Sequence, residues 1–440
     1  MLDINFIREH PEEVKNNILQ RGVDPKKADV DRLLVLDKQR RQLTTNIEQL
    51  RHARTEAAEK RDIERGRKLK EDLKSLEEQL EPLVTEWQLL MSWMPNMLSA
   101  DTPVGKDAGG NVEIKAWHPQ RGYFPKEELG LAEHSGRFMP GPAFPLRDHV
   151  ELGKLLDSID LEQSAKTSGS RFSYIKGGLS LLQFALFELL KNKLLQEGFT
   201  PMIVPLLVKE KVLYGTSHFP GDADQVYKIE NKYVEENQDL FLVGSSEPSL
   251  FGYYLDKVLA SDELPQKFFA YTSCFRSEVG SWGKDVRGLK RVHQFDKLEM
   301  DALTAPEASG EMHEYLLSLN EWFLQQLRLP YHVILMCSGD TGYAATHKKY
   351  DIEVWLPSQK TYMEVMSDTN ATDFQSRRFN TRYLNSKGEK EYVHNVNDTG
   401  CAMGRMIIAI LDNYQQPDGS VKVPGALQAY VGKELLEPKK

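Results

Sequence analysis

Apolar residues recur along the early chain at helical intervals. Leu36, Leu43, Ile47 and Leu50 are separated by seven, four and three residues, which places them on one face of a helix. Leu69, Leu73, Leu76, Leu80, Leu83, Trp87 and Leu90 advance by steps of four and three, the spacing of a coiled-coil seam. The intervening RHARTEAAEKRDIERGRK contains Gly66 and no comparable stripe. The two helices are therefore predicted to fold back on each other as an antiparallel hairpin, each covering the stripe the other cannot bury alone. Periodicity ends after Trp93-Met94-Pro95-Asn96, and residues 96–150 are rich in Pro, Gly and Asp, which predicts a linker or entry segment. Further on, LSLLQFALFELLKNKLLQEG reads as a helix, whereas MIVPLLV, KFFAYTSCF, YHVILMC and YDIEVWL read as strands. Strands and helices do not alternate regularly, so the pattern predicts an α+β fold with an antiparallel or mixed sheet and flanking helices. The expected division is a helical arm over 1–100 and a sheet domain over 101–440.

Composition narrows this picture. A chain of 440 residues with 40% hydrophobic content can fill two or three domains, which excludes a peptide hormone, a disulfide miniprotein and a wholly disordered chain. The formal charge of -9 advertises no nucleic-acid partner, so any basic footprint must be local. One lies in the middle of the hairpin. Arg51, Arg54, Lys60, Arg61, Arg65, Arg67, Lys68 and Lys70 outnumber Glu56, Glu59, Asp62 and Glu64 there. A projecting arm with a basic distal half suits a phosphate backbone, although coiled-coil surfaces also carry dense charge for solubility alone. Cys274, Cys337 and Cys401 are far apart and odd in number, giving neither a zinc spacing nor a disulfide framework and fitting a reducing cytoplasm. The start, MLDINFIREHPEEV, has no basic leader, and no run reaches the length of a membrane span, so a soluble protein without a membrane partner is expected.

Candidate chemistry concentrates between Cys274 and Met300, where Arg276, Glu278, Lys284, Arg287, Lys290, Arg291, His293 and Glu299 surround Gly280, Gly283 and Gly288. If Phe275 and Phe295 both lie in strands, this stretch joins antiparallel neighbours and its charged side chains face an open sheet surface. Arginine forks suit phosphate groups, and a carboxylate such as Glu278 or Glu299 can orient an amine or a ribose hydroxyl or help hold hydrated magnesium. The alternative is a surface loop with salt bridges. Nearer the C-terminus, YMEVMSDTN supplies Glu364, Ser367 and Asn370, and NVNDTGCAMGRMIIAILDNY supplies Asn397, Thr399, Gly400, Gly404 and Arg405. Arg405 near a helix start is poorly placed for the helix dipole, so it is expected to meet a specific anion or carboxylate. Neither GxxxxGK[ST] nor GxGxxG is present, and His218, His293, His347 and His394 form no compact metal-ligand motif.

Several long stretches together resemble the bacterial-type seryl-tRNA synthetases, a class II aminoacyl-tRNA synthetase family. They are SGSRF at 168–172, the segment from Gly198 through Pro205 to Thr216, YTSCFRSEVGSWGKDVRGLKRVHQFDKLEM at 271–300, YDIEVWLP at 350–357, FQSRR at 374–378, GCAMGR at 400–405 and AILDNYQQPDG at 409–419. The resemblance implies an N-terminal arm gripping the long variable arm of serine tRNA, with Arg51, Arg54, Lys60, Arg61, Arg65 and Arg67 as its basic contacts, followed by an antiparallel class II catalytic sheet. It implies a homodimer formed around Pro205. Serine and ATP would give seryl-adenylate and pyrophosphate, and serine would then pass to the 3′ end of serine tRNA, with selenocysteine tRNA a further acceptor.

By motif position, Arg276 would hold the α-phosphate and the serine carboxylate, Phe295 would stack on adenine, and Glu278 would read the adenine amino group. Arg405 would bind the γ-phosphate while sandwiching the purine, with Arg291 also on ATP. Glu364 and Ser367 would support ATP and Mg2+. Ser245, Glu247, Glu299, Asn397 and Thr399 would complete the serine pocket with Arg276. Three stretches depart from the family pattern: Gly244-Ser245-Ser246-Glu247 replaces PTAE, Met366-Ser367-Asp368-Thr369-Asn370 replaces SSCSN, and Asn397-Asp398-Thr399-Gly400 replaces NGSG or NGTG. Asp368 and Asp398 are expected to add negative charge near the pocket and adjust it. Two other functions share much of this sequence: a paralogue adenylating serine or a related small amino acid for a biosynthetic or carrier acceptor, and a noncatalytic tRNA-binding homologue. The basic arm argues against the first, and the retained Arg276, Glu278, Phe295, Glu299 and Arg405 argue against the second. A purely structural coiled coil leaves the arginine-rich stretch unexplained.

Overall fold

Helices Val30–Glu59 and Ile63–Trp93 run antiparallel, joined by a reversal of three residues. Leu36, Ile47, Leu73 and Leu90 are buried along the seam. Across it, Arg32 makes a paired hydrogen bond to Glu86 at 2.7 Å, and Arg51 reaches Glu77 at 2.8 Å. The turn is tighter than the weak periodicity of residues 51–68 implied. Arg61 adopts a left-handed φ of 55°, Asp62 caps the second helix by accepting from the Arg65 N–H, and Gly66 lies inside that helix rather than at the bend. Shorter helices, Ile4–Glu9 and Pro11–Gln20, complete this unit, and Asp37, nearly fully buried, gathers Arg8, Arg40 and Arg41.

The computed structural model describes residues 1–129, 144–230, 239–280, 287–342 and 344–439. It divides into Met1–Met97 and Leu98–Lys440, three residues short of the division expected at 100. The second unit is built on a nine-stranded sheet. Its strands lie in the order Gly122–Tyr123, Val112–His118, Tyr331–Leu335, Lys348–Leu356, Thr361–Thr372, His394–Ala402, Gln294–Thr304, Gln266–Phe275 and Thr200–Pro201. Every neighbouring pair is antiparallel except the last.

Two expectations change. The Pro/Gly-rich segment 96–150 is more than a linker, because Val112–His118 pairs with the 331–335 strand and extends the sheet. MIVPLLV does not form one strand: only Leu207 and Val208 from it join a ladder, that of a small three-stranded sheet. Pro205 has no N–H to donate and interrupts the run.

One face of the large sheet is covered by helices Gly178–Gln196, Ser309–Gln326 and Met403–Tyr414. Leu182, Leu186, Leu190, Leu316, Phe323, Met406 and Ile410 pack there against Leu298, Met300, Ile352, Val354 and Met363. The apolar helix predicted at 179–198 is this first one.

Candidate active site

The 266–275 and 294–304 strands pair continuously from Gln266↔Leu303 to Phe275↔Gln294, so the arginine-rich stretch connects adjacent antiparallel strands. Lys284 and Gly283 lie outside the described residues. Side chains alternate across a strand. Leu298, Met300 and Ala302 enter the helix-covered core, which turns Phe295, Lys297, Glu299 and Asp301 toward the other face.

Glu364 and Ser367 are three residues apart, a spacing that sends side chains to opposite faces of a regular strand. A register shift after Ile352 sets Glu364 opposite Glu353 and Ser367 opposite Asp351, and this bulge returns both to the site face. A second shift sets Thr399 opposite Glu299 and Ala402 opposite Lys297. The intervening Gly400 has little room for a side chain, since a Cβ there would come within 3.0 Å of Leu298 and 3.1 Å of Leu190.

These strands line a cavity of about 70 Å³ with Arg276, Glu278, Phe295, Lys297, Glu364, Thr399 and Arg405 in its walls. A second cavity, of about 370 Å³, shares Arg276 and Glu278 and adds His218, Asp222 and Arg291. Arg276 donates from Nε to the Gly244 carbonyl at 3.2 Å, and its guanidinium carbon lies 5.5 Å from the Phe295 ring centre. Arg405 finds the carboxylate its position called for: its Nη1 donates to the Glu364 carbonyl at 3.0 Å and lies 3.2 Å from the Glu364 carboxylate. Burial would raise the Glu364 pKa, but Arg405 and Lys349 outweigh it and hold the carboxyl below its ordinary value. Glu278 has a left-handed φ of 51°, and Arg171 of the SGSRF stretch donates to its carbonyl at 2.8 Å. Such a backbone needs support from its surroundings. The Glu278 carboxylate lies 3.6 Å from Arg291.

At the inner end, the Ser245 hydroxyl accepts the Glu247 N–H at 3.2 Å, and Gln375 donates to the Glu247 carboxylate at 2.7 Å. Burial, with Glu299 nearby, pushes the Glu247 carboxyl up to about 7 against the opposing pull of Gln375, Lys297 and Arg276. Asn397 lies opposite Asp301, whose carboxyl is raised well above its usual range by burial and the neighbouring Glu299 and Glu247. Lys297 is buried, forms an ion pair with Glu299 and lies 3.4 Å from the Thr399 hydroxyl. Burial alone would lower its pKa, but the Glu299 charge wins and raises it.

The predicted residues Arg276, Glu278, Phe295, Glu364, Thr399 and Arg405 thus share one cavity, Arg291 borders the next, and Ser245 and Glu247 form a buried contact of their own. The arm residues Arg51, Arg54, Lys60, Arg61, Arg65 and Arg67 are exposed in the other unit. Sequence reasoning missed Lys297, Gln375 and Arg171. The spacing of Phe295, Lys297 and Glu299 at alternate strand positions was the available signal for the first.

Asp368 and Asp398 do not sit where the departures from the family pattern implied. They lie directly opposite each other, and Asp398 also opposes Met300 of the core, so both face the helices rather than the cavity. Both are fully buried. Asn320 of the 309–326 helix donates to both Asp398 oxygens, at 2.7 and 2.8 Å, while His313 lies 3.5 Å from the Asp368 carboxylate. A Cβ at Gly244 would make only ordinary contacts of 3.4 Å with Arg276 and Phe275, so the packing there does not require glycine.

Among the described residues no group of three or more His, Cys, Asp or Glu side chains is placed to hold a metal. Magnesium needs fewer, because it keeps water and substrate phosphates around one or two protein oxygens. The Glu364 carboxylate and Ser367 hydroxyl, hard oxygen donors on one sheet face, fit that ion.

The same architecture is found in known proteins over the full chain. A crystal structure of seryl-tRNA synthetase from Pyrococcus horikoshii complexed with ATP matches with a TM-score of 0.88 at 35% identity, covering 100% of both chains. The cytoplasmic serine-tRNA ligase from Naegleria fowleri, in complex with AMP, matches with a TM-score of 0.84 at 27% identity, covering 100% of this chain and 99% of that one. The curated serine–tRNA ligase of Dictyoglomus turgidum is 40% identical over 100% of each chain, and that of Pyrococcus furiosus 39% identical over 100% of this chain and 98% of its own. Residues 1–98 match the seryl-tRNA synthetase N-terminal domain and residues 227–414 the tRNA synthetase class II core domain (G, H, P, S and T). With an antiparallel helical arm, a class II sheet and full-length identity of this order, the chain belongs to the seryl-tRNA synthetase family.

Proposed function

We propose that this chain is a serine–tRNA ligase, activating serine with ATP and transferring it to the 3′ end of serine tRNA. The observation that carries this reading is the shared cavity of Arg276, Phe295, Glu364 and Arg405, with Lys297 and Thr399 leading toward Glu299. It offers cations for phosphates, an aromatic face for a purine and a short polar end for a small amino acid. Phe295 and Arg405 take the two faces of adenine, Glu278 reads its amino group, and Arg405 also reaches the γ-phosphate. Arg276 spans the serine carboxylate and the α-phosphate, so the attacking oxygen and the phosphorus are aligned while the guanidinium neutralises developing charge. Pyrophosphate leaves, and in the second step a terminal ribose hydroxyl of tRNA attacks the seryl carbonyl and releases AMP. Glu364 and Ser367 would hold Mg2+, which when bound supplies charge neutralisation at the phosphates.

Glu299 receives the serine ammonium, Thr399 and Asn397 complete the polar wall, and Ser245 and Glu247 close the end. A buried hydrogen-bonding pocket disfavours alanine, whose lack of a hydroxyl leaves its partners unpaired, and a lack of room for one methyl excludes threonine.

The exposed basic residues of the hairpin bind the tRNA variable arm. The segment around Pro205, where Ile203 is fully exposed, forms a homodimer contact. The direct experiment is charging of serine tRNA transcripts with and without the long variable arm. Efficient serylation of the first and poor serylation of the second is expected, and equal use of both would remove the proposed role of the hairpin.

A further inference from the structure

Lys297 presents a charge problem. The pocket has to receive an ammonium group, yet a lysine ammonium is already buried in it, only 5% exposed. A buried cation in a cation-binding site is unfavourable unless it is matched to a particular anion. Lys297 and Glu299 are two residues apart on one strand and share the site face, while Thr399 stands directly opposite Glu299. The lysine therefore reaches both the Glu299 carboxylate and the Thr399 hydroxyl, at 3.4 Å from the latter.

The directions of these bonds follow from the groups. An ammonium only donates and an ionised carboxylate only accepts, whereas a hydroxyl does both. With Lys297 donating to Thr399 Oγ1, the threonine hydrogen is left for another acceptor.

We infer that Lys297 is a positioning residue for serine recognition: paired with Glu299, it fixes that carboxylate for the serine ammonium, and it turns the Thr399 hydroxyl so that it donates to the serine hydroxyl. The inference rests on the assignment of Glu299 to serine. Other ionisable groups lie near the pair: Glu247 from the 247–252 helix, Cys274 and Arg276 from the end of the 266–275 strand, Asp301 on the same strand, His218 from its loop and, on the helix side of the sheet, Asp398 of the adjoining strand. Burial keeps His218 neutral, with its pKa lowered to about 3, and the carboxyls of Glu247, Asp301 and Asp398 are all raised by burial. Lys297 is the cation paired directly with Glu299 among these groups.

Serine-dependent ATP–pyrophosphate exchange tests this. Lys297→Met is expected to raise the KM for serine roughly tenfold, with a KM for ATP within about twofold of wild type. Lys297→Arg, which keeps the charge, should bring the serine KM back toward wild type. Lys297→Gln carries the same test if the methionine variant does not fold, since its amide donates to Thr399 without supplying charge. A Lys297→Met or Lys297→Gln enzyme with wild-type serine KM overturns the inference. So does a variant whose serine and ATP KM rise together. Glu299→Gln with an unchanged serine KM instead overturns the underlying assignment of Glu299.

Discussion

Arg276 is held before any substrate arrives, by the Gly244 carbonyl and the face of Phe295, so in its proposed role little reorganisation would be needed as charge builds on the α-phosphate. Arg276→Ala should lower kcat for exchange by about a hundredfold or more, the loss expected of a preorganised charge donor, and an unchanged kcat in stopped-assay kinetics would count against its placement. A second residue-scale consequence lies away from the cavity. His332 is buried between Glu113 and Glu353, each 2.9 Å from a ring nitrogen. Burial would lower its pKa, but the two carboxylates raise it above the ordinary value of 6.5. A raised folded-state pKa stabilises the fold fully below the unfolded value, and that contribution is lost as pH rises through the folded one. The stability lost in His332→Gln, read from urea melts, should therefore be largest at about pH 6 or below and shrink toward alkaline pH. A difference that grows with pH would contradict the paired imidazolium. At this scale the sequence discloses Arg276, Glu299 and Arg405 through their motifs. Lys297 stays hidden because a lysine near a glutamate reads as an ordinary surface ion pair until strand register turns it inward.

Elements decide which of these residues meet. The hairpin and the 179–198 helix are legible from apolar spacing, and the paired strands from their apolar runs. The 112–118 strand is not, because its neighbours are Pro, Gly and Asp and its pairing partner lies more than two hundred residues away. Bulges are equally invisible, although one brings Glu364 and Ser367 to a common face and another turns Thr399 toward Glu299. Register also sends Asp368 and Asp398 to the helix side. Asp398→Gly should therefore leave the serine KM within about twofold of wild type, and a larger change would return Asp398 to the pocket. Asn320→Ala removes donors from a buried carboxyl and should cost about 1–3 kcal/mol in thermal or urea unfolding, with exchange kinetics unchanged. On the hairpin, Arg54→Glu with Arg65→Glu should raise the KM for tRNA and weaken its dependence on salt while sparing serine-dependent exchange. Equal loss in both assays would place these arginines elsewhere in the function.

For the whole molecule, the division at Met97 separates a helical unit, basic only in its 51–70 stretch, from a sheet unit with its own core, which suits the two proposed tasks of holding tRNA and activating an amino acid. No helix among the described residues is long and apolar enough to cross a membrane. Exposed Ile203 beside Pro205 belongs to the proposed dimer contact, so Ile203→Asp should shift sedimentation from dimer toward monomer, and an unchanged dimer would move the interface to another surface. The proposed function depends on the cavity being a serine-activating one. The most direct measurement is amino-acid-dependent ATP–pyrophosphate exchange with serine, threonine, alanine, glycine, cysteine and 2,3-diaminopropionate. Exchange strongly selective for serine is the predicted result, whereas no exchange, or preference for another amino acid, would contradict it.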